Sequence, residues 1–363
     1  MTAGILTLAG FIVLFCVIVL FFVARNVSKI TPFLYSNARL MARTPFLIKN
    51  WEDLIKATSL KEMASLLKET EYEEELDKID VTDLKQLHTG FEKSYINSIN
   101  ELKTMSPKQI RPFFNSYLML IEAKVLKTLY RAKFSGHSID KNLLFPFGTI
   151  NHIILERLIE CETIKDMMVV MEKTVYEPVF TKAHDTLEAF EVALDGFVLH
   201  NLAKVTQSLK IYESNYLQGI IEKRIDILNI LALLKFRIRN IPKEKQIELL
   251  IQHKSDVSAR FKELIHADEL TDFVQLFKGL DYYEALNRAL KSYQEENSYS
   301  HFEKELLEWF KTYVVDADLN HTLGPYPLLS YVIKKEFELR NLFIISKGIQ
   351  AGMNANQIRE MLL

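Results

Sequence analysis

Three gapless stretches share one pattern: LIKATSLKEMASLLKETEY at residues 54–72, LIECETIKDMMVVMEKTVY at 158–176 and LIHADELTDFVQLFKGLDY at 264–282. Their starts lie 104 (158 minus 54) and 106 (264 minus 158) residues apart. Within each, the apolar seventh residue (Leu60, Ile164, Leu270) and the closing tyrosine (Tyr72, Tyr176, Tyr282) keep their offsets. A period of this length predicts three copies of one small domain. A second echo follows each copy: EAKVLKTLYRAKFSG at 122–136, DILNILALLKFRIRN at 226–240 and ELRNLFIISKGIQAG at 338–352. Each opens on an acid (Glu122, Asp226, Glu338) and closes on Gly136, Asn240 or Gly352. Gly and Asn tolerate the left-handed backbone that ends a helix, so each echo reads as the last turns of a long helix.

A 363-residue chain that is 48% apolar exceeds what one core accommodates, and three repeats supply several. Only 11 Gly and 9 Pro occur, most of them between periodic segments, which predicts long helices and an all-α fold of three similar helical bundles. Basic and acidic residues nearly cancel, 45 against 47, and no stripe of Lys and Arg interleaved with aromatics appears, so nucleic acid is not an expected partner. The two cysteines, Cys16 and Cys161, suggest neither a disulfide framework nor a zinc site and fit a reducing compartment.

Residues 1–24 carry no charge, and 3–23 as a helix would span about 31 Å at ~1.5 Å per residue, matching a hydrocarbon core of ~30 Å. The run lacks the basic start and short core of a cleavable signal, so it reads as an uncleaved transmembrane anchor. Arg25, Lys29, Arg39, Arg43 and Lys49 follow it and place the large C-terminal part in the cytoplasm. No ionisable residue lies at depth, so this chain is not expected to conduct ions itself.

Between Pro32 and Pro45, YSNARLMAR predicts a short helix bounded by two prolines. Residues 54–67 place Leu54, Leu60, Met63, Leu66 and Leu67 on one helical face. The acidic run 69–77 reads as a solvated turn. A helix is predicted over 91–105, and Ser106-Pro107 reads as cap and first position of the next, which runs to Phe134. The third repeat closes with a Gly324-Pro325-Tyr326-Pro327 turn, a helix to about Ile349 and a short helix capped by Asn354 that presents Ile358, Met361 and Leu362.

No phosphate-binding loop, dinucleotide fingerprint, HExxH, GxSxG or paired CxxC occurs, so no catalytic, cofactor-binding or metal-ligating residue is nominated. His184 with Glu188 stands at i,i+4 spacing, more in keeping with a surface salt bridge than with two metal ligands. His88, His137 and His152 receive no role. Tyr72, Tyr176 and Tyr282 read as repeat-core packing, with partner anchoring as the other reading.

YSNARL, KTLYRAKFSG, DILNILALLKFRIRN and above all GPYPLLSYVIKKEFELRNLFIISKGIQAGMNANQIREMLL resemble the C subunit of V/A-type rotary ATPases, a family related to the d subunit of vacuolar ATPases. The likeness covers about residues 30–363. Phe343 and Ile349 stand where the family often has basic residues, Asn240 replaces a Gly, and most members lack the apolar N-terminal helix. The resemblance implies a funnel of three helical bundles, a non-catalytic central-stalk subunit, and a proteolipid rotor ring and central shaft subunits as partners, with neither cofactor nor small-molecule substrate. The expected division is 1–27 transmembrane anchor, 28–150 first repeat with its connecting segment, 151–255 second repeat and 256–363 third. The expected location is the cell membrane, single-pass, with the C-terminal domain cytoplasmic. A membrane-tethered helical-repeat scaffold for another membrane complex is the alternative.

Overall fold

The computed structural model describes residues 2–43, 48–137, 139–182, 186–209, 214–320 and 324–363, with the side chains of the first helix from Val13 onward except that of Asn26. Among the described residues there is no β-strand, only an isolated antiparallel bridge between Phe147 and Ile150. The fold is all-α.

Among the described residues, seven helices exceed twenty residues: α1 (Thr2–Met41), α2 (Leu84–Met105), α3 (Arg111–Phe134), α4 (Leu187–Ser208), α5 (Ser214–Ile238), α6 (Ser300–Asn320) and α7 (Tyr326–Gln350). The three echoes form most of α3, α5 and α7 and end them in one way. Gly136, Asn240 and Gly352 take φ of 66°, 50° and 69°. In each case the next N–H turns back to a carbonyl five residues earlier: His137 to Ala132 at 2.8 Å, Ile241 to Phe236 at 3.0 Å and Met353 to Gly348 at 2.9 Å. This is the bonding of a left-handed helix stop, and it explains why Gly or Asn occupies all three positions.

Six of the helices close into an up-and-down ring, each packing on its chain neighbour and α7 returning to α2. Lys127 meets Asp195 and Arg131 meets Glu191, so α3 and α4 run antiparallel, and Glu303 meeting Arg340 does the same for α6 and α7. The N-termini of α3, α5 and α7 therefore share one end of the ring with the C-termini of α2, α4 and α6.

The 54–72 motif and its copies cover this ring from outside as short helices: Trp51–Lys56 and Leu60–Leu66, His152–Glu160 and Ile164–Met171, Phe261–His266 and Leu270–Gln275. Each copy turns through a left-handed residue three positions before its tyrosine: Glu69 (φ 64°), Lys173 (φ 65°) and Gly279 (φ 85°). In the first two, the strain is accompanied by the same bonds, from Glu69 N–H to Glu73 and from Lys173 N–H to Glu177, each 3.1 Å.

Several local expectations are corrected. Pro32 does not separate two helices; it lies inside the 40-residue α1, which continues past it to Met41. Ser28 and Thr31 occupy neighbouring carbonyls, of Arg25 and Val27, with their hydroxyls at 2.8 Å. Pro45 lies outside the described residues. Residues 54–67 form two helices rather than one, because Ser59 caps the second by accepting from Glu62 N–H at 3.2 Å, and this turns Leu66 outward. Ser106 does not cap the start of α3 but closes the end of α2: a 3₁₀ turn, Lys108–Ile110, intervenes, and Pro112 takes the first turn of α3. The acidic run is only partly solvated, since Glu71 and Glu75 are buried against Lys335, Arg43 and Lys78. The C-terminal helix, Ala355–Met361, has the expected Asn354 cap, with Gln357 completing a capping box; Ile358 is buried and Met361 exposed.

Candidate functional site

The two echoes meet. Tyr176 donates its hydroxyl to Glu122, Tyr282 to Asp226 at 2.9 Å and Tyr72 to Glu338 at 2.7 Å. Tyr176 and Tyr282 are thus bonded to the acid that precedes them in the chain, and the first tyrosine takes the last acid. All three rings are buried against an aromatic of the outer long helix: Phe91 on α2, Phe197 on α4 and Trp309 on α6. Burial first, then the neighbouring carboxylate, pushes each phenol above its ordinary pKa, so all three remain donors. Repeat-core packing is therefore the reading the geometry supports for these tyrosines. The available sequence signal was one polar group at a fixed offset in each echo.

At the axis of the ring, α3, α5 and α7 touch through polar side chains. Arg224 and Glu336, each two residues before the acid of its echo, form a two-pronged pair at 2.7 and 2.8 Å, and Tyr117 of α3 donates to Glu336 at 2.5 Å. Burial alone would raise the Glu336 carboxyl; the Arg224 guanidinium overcomes it and holds the group down at about 2.

This pair is the floor of a cavity of about 570 Å³ between α4, α5, α6 and α7, with Lys124 of α3 on its edge. Ile227, Leu231, Phe236, Phe310 and Phe337 make apolar walls. The rim is charged and wet: Glu188, Arg239, Glu303 and Arg340 are about two-fifths to three-fifths exposed, against 18% and 25% for Arg224 and Glu336 on the floor. The rim lies toward the C-terminal end of α5, away from the end where α1 leaves the ring.

There, the last turns of α1 dock on α2 and α7. Phe33 is fully buried, Ser36 donates to Met105 O at 2.7 Å and Asn37 to Gly324 O at 3.0 Å. Arg43, just beyond α1, donates to Glu71 at 2.9 Å, and Glu71 in turn accepts from Tyr331 and faces Lys335 at 3.3 Å. The side chains of residues 13–25 and of Val27 are exposed and, Arg25 apart, almost wholly apolar; by length and composition this helix can cross a membrane.

No three His, Cys, Asp or Glu are grouped to hold a metal among the described residues. His184 lies outside them. His152 stands 3.2 Å from Glu156, an exposed i,i+4 pair with no sequence context to single it out. His88 meets Ser346 at 2.8 Å and lies tilted against the Phe343 ring, where burial and Lys347 lower its pKa to about 4, so it acts as a neutral packing group.

The sequence profile of the family described as ATP synthase (C/AC39) subunit matches residues 37–361. The chain is 24% identical over 360 residues to the C subunit of the A-type ATP synthase of Methanocaldococcus jannaschii, covering 95% of this chain and 90% of that one. It is 25% identical over 372 residues to the corresponding C subunit from Methanothermobacter thermautotrophicus, covering 99% and 94%, and 24% identical over 343 residues to that from Thermococcus onnurineus, covering 93% and 92%. The chain belongs to the ATP synthase (C/AC39) subunit family.

Proposed function

We propose that this chain is a non-catalytic coupling subunit of a rotary ATPase, joining a proteolipid rotor ring in the membrane to the central shaft. The observation that carries the reading is the opposition of the two functional ends. A charged-rimmed apolar cavity opens at one end of a closed helix ring, and a membrane-length helix leaves the other. Apolar walls above an ionic floor suit the end of an inserted helical shaft, and the antiparallel ring resists twisting because each helix is braced by two others. We read α1 as a single-pass anchor, with Arg25 and Lys29 at the cytoplasmic boundary.

The structural units, in this proposal, follow the tyrosine–carboxylate pairing rather than the boundaries at 150 and 255. One unit joins α2 to α7 and so to both ends of the chain, one comprises α3 and α4, and one α5 and α6. Together they form the funnel.

Leu231→Glu with Ala232→Glu, both on the cavity wall, tests the reading in the assembled complex. The expected result is loss of the shaft subunits on purification through the full chain, with ring association and circular dichroism unchanged. Retention of the shaft by this variant would contradict the cavity assignment. Purification of the wild type without ring or shaft subunits would favour the membrane-tethered scaffold instead.

A further inference from the structure

The cavity between α4, α5, α6 and α7 carries a surplus of positive charge. Among the described residues, the carboxylates on its walls are Glu188, Glu191, Asp195, Glu303 and Glu336, and each is paired with a cation of this chain. Lys124 and Lys235 line the same cavity, are exposed, and form no ion pair among the described residues. Lys124 stands in the field of Glu336, which Arg224 already holds, and of Glu92 on α2, whose carboxyl burial pushes up; it bonds neither.

The surplus is built into the repeat. Counting from the acid that opens each echo, the second and ninth residues that follow are Lys124 and Arg131 on α3, Leu228 and Lys235 on α5, and Arg340 and Lys347 on α7. Five of these six are basic and none is acidic. Seven residues make close to two helical turns, so the two positions share one face of each helix. Lys124, Leu228, Lys235 and Arg340 turn that face to the cavity. Arg131 and Arg340 are committed to Glu191 and Glu303. Lys347, exposed and without an ion pair among the described residues, stands one turn beyond the cavity-lining Phe343. Each inner helix thus contributes one unpaired lysine, deep in the cavity on α3 and about 10 Å nearer the open end on α5 and α7, at ~1.5 Å per residue.

The occupant that fits these lysines is elongated and acidic. The cavity follows α5 from Arg224 to Arg239, fifteen residues (239 minus 224) and about 22 Å, the length of four helical turns. A neutral apolar plug would cover Lys124 and Lys235 and leave both charges without water or counter-ion, whereas an occupant with carboxylates turns the same burial into charge-assisted hydrogen bonds. We propose that the shaft end received by this cavity is acidic, presenting a carboxylate near its tip to Lys124 and others, about seven residues nearer the open end, to Lys235 and Lys347. Because the lysines stand on three different helices, they also fix the angle at which the shaft seats. This rests on the shaft being the occupant, as proposed above.

The assembled membrane complex, purified through the full chain, supplies the test. Zero-length carbodiimide crosslinking, read by mass spectrometry, should join Lys124, Lys235 and Lys347 to Asp or Glu of a shaft subunit, with the partners of Lys235 and Lys347 about seven residues from that of Lys124. Lys124→Gln/Lys235→Gln/Lys347→Gln should weaken shaft association about tenfold or more at low salt and flatten its salt dependence, with circular dichroism unchanged because all three side chains are exposed. Lys61→Gln/Lys165→Gln/Lys278→Gln, which removes one exposed lysine from each outer copy, should change neither. Crosslinks of the three cavity lysines only to carboxylates of this chain or to none, wild-type association and salt dependence in the first variant, or an equal loss in the second would each overturn the proposal. If Leu231→Glu/Ala232→Glu releases the shaft and the cavity-lysine variant retains it, the cavity assignment stands and the acidic shaft end does not. If both retain it, the cavity assignment itself fails and this proposal with it.

Discussion

The first and second of the proposed bundles, that of Tyr72 with Glu338 and that of Tyr176 with Glu122, are built on the same tyrosine–carboxylate bond and stabilise it by different physics. In the second, Glu122 forms no ion pair among the described residues. Thr149 supplies its backbone N–H and its hydroxyl, the latter at 2.6 Å, Tyr176 adds a third donor, and burial still leaves the carboxyl above its ordinary pKa. In the first, Lys335 is 3% exposed, lies 3.1 Å from the Tyr72 hydroxyl, and pairs with both Glu338 and Glu71; Glu71 is held below its ordinary pKa although burial opposes this. The difference lies at one position, three residues before the acid, which is Met119 in α3, Lys223 in α5 and Lys335 in α7. Its counterpart, one residue before the tyrosine, is Val175, Asp281 and Glu71. Part of the second bundle, from Met119 to Val198, forms a separate apolar core, whereas the first and third share one that also takes in Phe113, Phe114, Leu199 and Leu202 at one end of α3 and α4. The second is closed by contiguous chain; the first must fasten two chain ends and the root of α1, and its ionic cluster sits where they meet.

The strongest way to break this comparison is Lys335→Met, which makes the first bundle resemble the second. Because it removes the cation that pairs with Glu338 and one of the two that face Glu71, it should cost about 3–5 kcal/mol, while Met119→Leu at the equivalent position of α3 should cost less than about 1.5 kcal/mol. Thermal unfolding of the full chain in detergent would show both, and equal costs would contradict the assignment of Lys335. Next is Gly148→Ala. Gly148 has φ 58°, and a Cβ there would overlap the buried Glu122 carboxylate, so a loss of about 2–3 kcal/mol is expected. Gly136→Ala, left-handed but in open space, should cost only about 1 kcal/mol by the same measurement.

Acidity should move the two bundles in opposite directions. The folded pKa of Glu122 is raised, so its contribution is fully present below the ordinary carboxylate value and is lost as pH rises through the raised one. Those of Glu71 and Glu336 are lowered, so their contribution is present above the ordinary value and is lost as pH falls toward about 2 for Glu336. Segment-resolved hydrogen exchange, corrected for intrinsic rates, should show residues 152–180 better protected at mildly acid pH than at neutral pH. Residues 51–76 should lose protection only at stronger acidity. The smallest effect belongs to the third bundle, where Asp281 is 58% exposed against Lys223; Asp281→Asn should change stability by less than about 1 kcal/mol.

The bundle elements were legible because they depend on local signals. Gly136, Asn240 and Gly352 announce helix ends by backbone preference alone, and the three tyrosines announce a repeated packing position. What stayed hidden depends on distance. That Tyr72 bonds to Glu338, 266 residues away, follows from ring closure, which no local window contains. Glu71 looked solvated because five of its neighbours in 69–77 are acidic; only the approach of Lys335 and Arg43 makes it a core ion. Pro32 suggested a break, yet α1 runs through it, because docking of Phe33, Ser36 and Asn37 supplies contacts that offset one missing hydrogen bond. The cavity is formed by four helices and a fifth at its edge, and nothing in any one of them marks it.

The central claim is that the first bundle, fastened by Lys335, is the latch that joins both chain ends and the root of α1 while the second bundle stands on its own core. Hydrogen exchange on the full-length Lys335→Met variant tests it most directly. The account predicts increased exchange in residues 33–43, 51–76 and α7, with residues 152–180 and α4 unchanged. A uniform increase along the chain, or one centred on the second bundle, would contradict it.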